Sequence, residues 1–423
     1  MPRASAAPRD LLPAFVFTSA ALAIALGVST GGWAIWEMAF AAGTVLPSHL
    51  QLHAHVQLVG FALLFVLGVM FPALPRMLDV PPAPRRVVLT VLVGVGGGAL
   101  FRAIGQPLAP WAAGRLLSLL SGALELAGIF AFVAWAVEAL ATRREPGDPF
   151  TFHFLLGTAW AMVSAALSAA QAIFLAGHAE SEIPGGLVEP FYAVTLYGVV
   201  LSWLFAFSSR VAPALLGLPG RTTKGARWVA ALQGAGTLLL AAAWIRGIPP
   251  LRARALAMTG TLLVSAAVLL FLAASHLLVP LARPLAVPFL RVPFLFLGVF
   301  AATSFTAAVA EIGGASVHKF VWDGARHTYT IGFLTLFVVV MSLHVVPLFT
   351  GRTLARPQEA RLAVVLVAAA AAVRALQIPV ALGWGGLALY RLVGTTGIFA
   401  TAGLVLWAHA LVATLRRRPG ESA

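Results

Sequence analysis

The feature that most constrains this chain is a succession of long apolar segments. A membrane-spanning helix needs roughly 20 mostly apolar residues, and Pro, Gly or charged clusters separate twelve segments of this kind. They lie near residues 11–36, 50–78, 87–109, 112–141, 152–178, 187–217, 226–246, 254–281, 287–312, 326–350, 360–383 and 387–415. Because 60% of the 423 residues are hydrophobic and only 10% are charged, most of the exterior must face lipid. The sequence therefore predicts an all-α membrane protein, a bundle of about twelve transmembrane helices that forms a single polytopic domain over residues 1–423.

The distribution of basic residues predicts how this bundle is oriented. With a cytoplasmic N-terminus, 19 of the 28 Lys and Arg residues fall at inner loops or inner helix ends, and 9 fall at outer positions. This asymmetry follows the positive-inside rule and places both termini in the cytoplasm. The same residues are dispersed over many short loops, which argues against nucleic-acid binding. The expected partner of the surface is the lipid bilayer.

Histidines are the main candidates for chemistry, because the chain has no Cys and therefore no disulfide, thiolate or Fe–S site. An imidazole in or near hydrocarbon is costly unless it has a partner, so a metal is a natural hypothesis. The alternative is that these are interfacial histidines hydrogen-bonded to loop carbonyls. Six of the ten lie on the predicted outer side and are candidate metal ligands: His49, His53, His55, His178, His318 and His327.

Helical spacing limits which of these histidines could share a site. Residues four apart lie on one helix face, whereas residues two apart are separated by about 200°. His49 and His53 could therefore bind one metal, but His53 and His55 cannot readily do so. His344 comes 17 residues after His327, about 25 Å along a helix at 1.5 Å per residue. It therefore needs a separate role.

A short pattern recurs in the two halves of the chain. His55 and His327 each begin the pattern His-x4-Gly-Phe, and a proline follows each glycine by 15 residues. The sequence thus predicts an internal repeat relating 50–78 and 326–350. Two histidines at equal depth on predicted helices two and ten could be the axial ligands of a haem. The candidate haem ligands are His53, His55 and His327, and the choice between His53 and His55 stays open.

These motifs carry a resemblance to a known family. His53-Ala54-His55 with Gly60-Phe61, the stretch Ser209 to Pro213, and Arg326-His327 with Gly332-Phe333 resemble the NnrS family. Its members are haem- and copper-containing membrane proteins of twelve helices associated with the bacterial response to nitric oxide. The resemblance implies a haem contacted by Arg326, a copper ion, a redox partner and the bacterial inner membrane. The chain departs from the family where Val56 and Gln57 replace the usual Glu-Met.

Helix two also resembles subunit I of the haem-copper oxidases. That enzyme's copper site needs His-x-x-x-Tyr on helix six and a His-His pair on helix seven, and neither motif is present. Reduction of oxygen or nitric oxide at such a centre is therefore not expected, and the sequence does not assign an enzymatic activity. A copper ion bound by His49, His53, His178 or His318 stays open.

The sequence therefore favours a haem-binding membrane protein concerned with nitric oxide or nitrosative stress. The main alternative is a twelve-helix secondary transporter without haem, for which interrupted spans and a repeat between halves would also be expected. A third hypothesis is a membrane anchor subunit without a cofactor.

Overall fold

The structure, a computed structural model, describes residues 11–40, 43, 45–142, 148–216, 223–275, 277–278 and 289–418. These residues contain helices and no strand. The helices are, in chain order, α1 (Leu12–Phe40), α2 (Pro47–Leu78), α3 (Arg85–Gly105), α4 (Ala112–Ala141), α5 (Pro149–His178), α6 (Gly185–Val211), α7 (Thr223–Ala242), α8 (Pro250–Ser275), α9 (Arg291–Ile312), α10 (Lys319–Thr350), α11 (Pro357–Ala381) and α12 (Gly386–Arg416).

The predicted all-α membrane bundle is confirmed. Within the described ranges, eleven helices are long and apolar enough to cross a membrane. The exception is α7, which is helical for 20 residues but carries polar side chains. Its Gln233 donates hydrogen bonds to Ser202 Oγ and to the Tyr197 carbonyl of α6, both at 2.6 Å. The two termini, at 1–10 and 419–423, lie outside the described residues.

The three motif-bearing helices form the centre of the bundle. Of the eleven candidate spans, α2, α6 and α10 are the most buried. Pro47 begins α2, and a left-handed residue, Asp79, ends it. The other helix with the histidine motif, α10, begins after His318, whose ring accepts a hydrogen bond from the Phe320 amide. His53 and His327 therefore both lie near the N-terminal ends of central helices.

Several helices contain a segment of π-helix, which is rare and often marks a functional position. These segments lie at 23–28, 56–63, 92–97, 194–200 and 328–335. Those of α2, α6 and α10 contain Gly60, Gly198 and Gly332 respectively. A Cβ at Gly198 would lie 2.7 Å from Trp160 Cγ, and one at Gly332 would lie 2.5 Å from Phe296 Cγ. The glycines thus allow close helix packing, while the internal repeat itself stays a prediction.

Candidate functional site

A cavity of about 610 Å³ opens between α1, α2, α6, α10, α11 and α12, and we call it the histidine cavity. This volume lies in the range of small-molecule and cofactor sites, roughly 300–1,000 Å³. His53 and His327 line it from α2 and α10. The other charged or hydroxyl-bearing side chains that line it include Glu182, Glu189, Tyr192, Lys319, Asp323, Arg326, Arg374 and Tyr390.

His53 is fixed in the cavity by a backbone partner on α1. Its Nδ1 lies 2.9 Å from the Gly27 carbonyl oxygen. A carbonyl can only accept, so Nδ1 must carry the proton and Nε2 keeps a lone pair. One turn along α1, a Cβ at Gly31 would overlap the His53 imidazole. Gly27 and Gly31 together therefore determine where this ring lies.

His327 is fixed by Asp323, one turn earlier on α10. The His327 Nδ1 lies 2.8 Å from the Asp323 carbonyl oxygen and 3.3 Å from its carboxylate oxygen Oδ1. The other carboxylate oxygen accepts hydrogen bonds from Arg374 Nη2 at 2.7 Å and from Gln377 Nε2 at 2.9 Å. Arg374 Nη2 is also 3.5 Å from His327 Nδ1, but the two nearer neighbours are acceptors, so His327 has the same tautomer as His53, with its Nε2 lone pair available.

His55 has different surroundings. It is 2% exposed and is not among the residues that line the histidine cavity. Its Nε2 donates to Glu125 Oε1 at 2.9 Å, and Ser168 Oγ donates to Glu125 Oε2 at 2.5 Å. Its ring stacks on Phe191 with a centroid distance of 5.4 Å. The separation predicted from spacing is therefore present, with His53 facing the cavity and His55 in a buried polar cluster.

Other candidate ligands have local partners. His178 Nδ1 donates to the Phe174 carbonyl at 3.0 Å, and the two rings stack. His318 is the N-cap of α10. Among the described residues, no group of three or more His, Asp or Glu side chains is placed to hold a metal ion. Copper binding by His49, His178 and His318 stays a prediction.

Two arginines, Arg326 and Arg102, lie in different regions of the bundle. Arg326 lines the cavity, where its Nη2 lies 3.8 Å from Glu189 Oε2. Arg102 instead donates hydrogen bonds to Gln106 and Gln171 in the buried region beside Glu125.

Sequence reasoning missed Asp323 as a partner of His327. The four-residue spacing between them on a helix was the available signal.

A second cavity of about 550 Å³ lies farther along α2, α6 and α10, and we call it the apolar cavity. Phe, Leu, Val and Met form most of its walls, with His344, Ser208 and Arg76 among the exceptions. On α2, Phe61 lines the histidine cavity and Phe65 lines the apolar cavity. The two cavities are therefore about one helical turn apart, and His344 belongs to a different site from His327, as its spacing predicts.

Comparison with known proteins identifies the family and the fold. None of the curated proteins matches this sequence. A cryo-EM structure of a haem-copper terminal oxidase dimer is similar in fold, with a TM-score of 0.69 and 14% identity over 99% of this chain and 86% of that one. The model of the NnrS protein family matches residues 13–418. The chain therefore belongs to the NnrS family and has a fold like that of the haem-copper oxidases.

Proposed function

We propose that this protein binds a haem in the histidine cavity, where His53 and His327 would hold its iron. The observation that carries the proposal is the pair of imidazoles on α2 and α10. Both line one cavity, and both have Nδ1 bonded to a carbonyl so that Nε2 is available for iron. Haem is commonly held by such ligands from facing helices. Of the two histidines left open by the sequence, the proposal selects His53, because His53 lines the histidine cavity and His55 does not.

Although Glu182, Glu189 and Asp323 also line the cavity, its basic side chains supply donors for a ligand that carries carboxylates. Lys319, Arg326 and Arg374 contribute three cationic side chains to its walls. Arg pairs with carboxylates through parallel hydrogen bonds, which suits haem propionates. Arg374 also donates to Asp323, so Arg326, whose Glu189 contact is longer at 3.8 Å, is the better propionate partner.

A haem held by two histidines supplies one-electron transfer, whereas an open axial position would admit a diatomic ligand. The protein's own contribution is to orient both imidazoles and to hold the cofactor among apolar helices.

Family membership supports a role in the response to nitric oxide or nitrosative stress, with a redox partner. We propose the bacterial inner membrane as its location, with both termini in the cytoplasm and the histidine cavity toward the outer face. Copper at the outer histidines is part of the same proposal.

The test is an ultraviolet-visible spectrum of detergent-purified protein expressed with ample haem, in oxidised, dithionite-reduced and nitric oxide-treated forms. We expect a Soret band in the wild type and its loss in His327→Ala. The matched control is His178→Ala, which removes a histidine whose hydrogen bond among the described residues is to its own helix and should keep the band. A wild type without a Soret band would refute the proposal and favour the secondary transporter. A spectrum that responds to nitric oxide would show that an axial position opens to this ligand.

A further inference from the structure

We propose that Asp323 is a positioning residue that strengthens His327 as an electron donor to the haem iron, so that the two axial ligands are unequal. The inference rests on the proposed function. Asp323 would act through His327 and would lower the reduction potential of the haem.

The contacts of the two imidazoles differ in charge. The His53 Nδ1–H donates to the neutral Gly27 carbonyl. The His327 Nδ1–H lies between two acceptors of Asp323, its carbonyl at 2.8 Å and a carboxylate oxygen at 3.3 Å. A carboxylate beside the non-ligating nitrogen of a histidine fixes its tautomer and raises its basicity as a ligand. Only His327 has such a carboxylate among the contacts described for the pair. Arg374 Nη2 also lies 3.5 Å from His327 Nδ1, and because it donates to Asp323 Oδ2, its positive charge offsets part of the carboxylate's.

Two further residues hold the Asp323 carboxylate in place. Arg374 and Gln377 from α11 both donate to its Oδ2 atom, which leaves Oδ1 facing His327. The Arg374 side chain is only 6% exposed. Because α11 supplies both donors, the helix-to-helix contact itself determines the orientation of the carboxylate.

The direction of the effect follows from charge. A more basic imidazole and a nearby negative charge both favour ferric over ferrous iron, so they lower the potential. Asp323→Asn keeps an amide oxygen near His327 but removes the negative charge, so the potential should become more positive. Gln377→Leu removes a donor from Asp323 Oδ2 and leaves more charge on the carboxylate. The potential should then become more negative.

The experiment is a spectroelectrochemical titration of the haem in full-length purified protein, combined with the near-infrared ligand-to-metal band of the ferric form. Glu189→Gln is the matched control, because Glu189 lines the same cavity, has no described contact with His327 and loses the same charge. We expect Asp323→Asn to shift the potential upward by more than Glu189→Gln does, and to move the near-infrared band to longer wavelength. Glu189→Gln should leave the band in place.

Equal shifts in Asp323→Asn and Glu189→Gln, with no movement of the band, would refute the inference and leave the proposed function intact. A wild type without haem would refute the proposed function itself. If Asp323→Asn does not accumulate as folded protein, the opposite shift expected for Gln377→Leu decides the question. An unchanged or higher potential in Gln377→Leu would then count against a role for Asp323.

Discussion

The histidine cavity and the apolar cavity differ in chemistry much more than in size. Their volumes are about 610 and 550 Å³, and α2, α6 and α10 contribute to both. The histidine cavity has two anchored imidazoles and several charged side chains, whereas His344 is the histidine among the described walls of the apolar cavity. Volume between central helices is therefore not sufficient to predict a haem site. Paired imidazoles with fixed tautomers are the feature that distinguishes the histidine cavity.

The largest expected effect comes from removing one histidine from each cavity. His53→Ala should reduce bound haem to background, because it removes one of the two proposed haem ligands. His344→Ala should retain wild-type haem content, because the apolar cavity is a separate site. Haem per protein in purified samples, measured by the pyridine haemochrome method, provides the comparison. Equal loss in both variants would show that the two cavities are not independent.

A smaller effect is expected from the glycine that packs against His53. Gly31→Ala adds a methyl group that overlaps the imidazole, and overpacking costs about 1–3 kcal/mol, equivalent to an approximately 5- to 150-fold weaker affinity for haem. Gly177→Ala is the matched control, since a Cβ there meets no atom within 4 Å. Haem transfer to apomyoglobin measures the difference. Equal rates of transfer from both variants would contradict the proposed position of the His53 ring.

The last comparison concerns the stability of the fold and uses one buried serine from each region. Ser168 donates to the Glu125 carboxylate, and loss of a hydrogen bond to a charged group costs about 1.5–3 kcal/mol. Ser208 lines the apolar cavity, and its buried Oγ has no hydrogen-bond partner among the described residues. Thermal unfolding in detergent should show that Ser168→Ala is destabilised, while Ser208→Ala is unchanged or stabilised. A larger loss in Ser208→Ala would indicate that its hydroxyl has a bound partner.

The fold could be predicted from the sequence because the requirement to span a bilayer applies to each apolar segment separately. The helix least typical of a span is α7, whose Gln233 is satisfied by α6 rather than by its own helix. This contact depends on neighbouring helices, so hydropathy alone could not reveal it.

The site was less predictable than the fold. The spacing of two residues on a helix gives the angle between their side chains, but it does not say which cavity or neighbouring helix either side chain faces. Spacing separated His53 from His55, yet the choice between them depends on which ring lines the cavity. His55 instead bonds to Glu125, which is 70 residues away in the chain. Depth in the membrane was also an incomplete guide. His178 was grouped with His53 because both are near the predicted outer face, but its ring bonds to its own helix.

The π-helical segments after His55 and His327 alter the phase of the sequence pattern along α2 and α10. A π turn closes its hydrogen bond one residue later than an α turn, so it offsets the residues beyond it by about one 100° step. On α2, the side chains that line the histidine cavity end at Phe61, within the segment at 56–63, and those that line the apolar cavity begin at Phe65, just beyond it. Deleting one residue within that segment would restore a uniform α-helical phase and turn His53 away from the cavity.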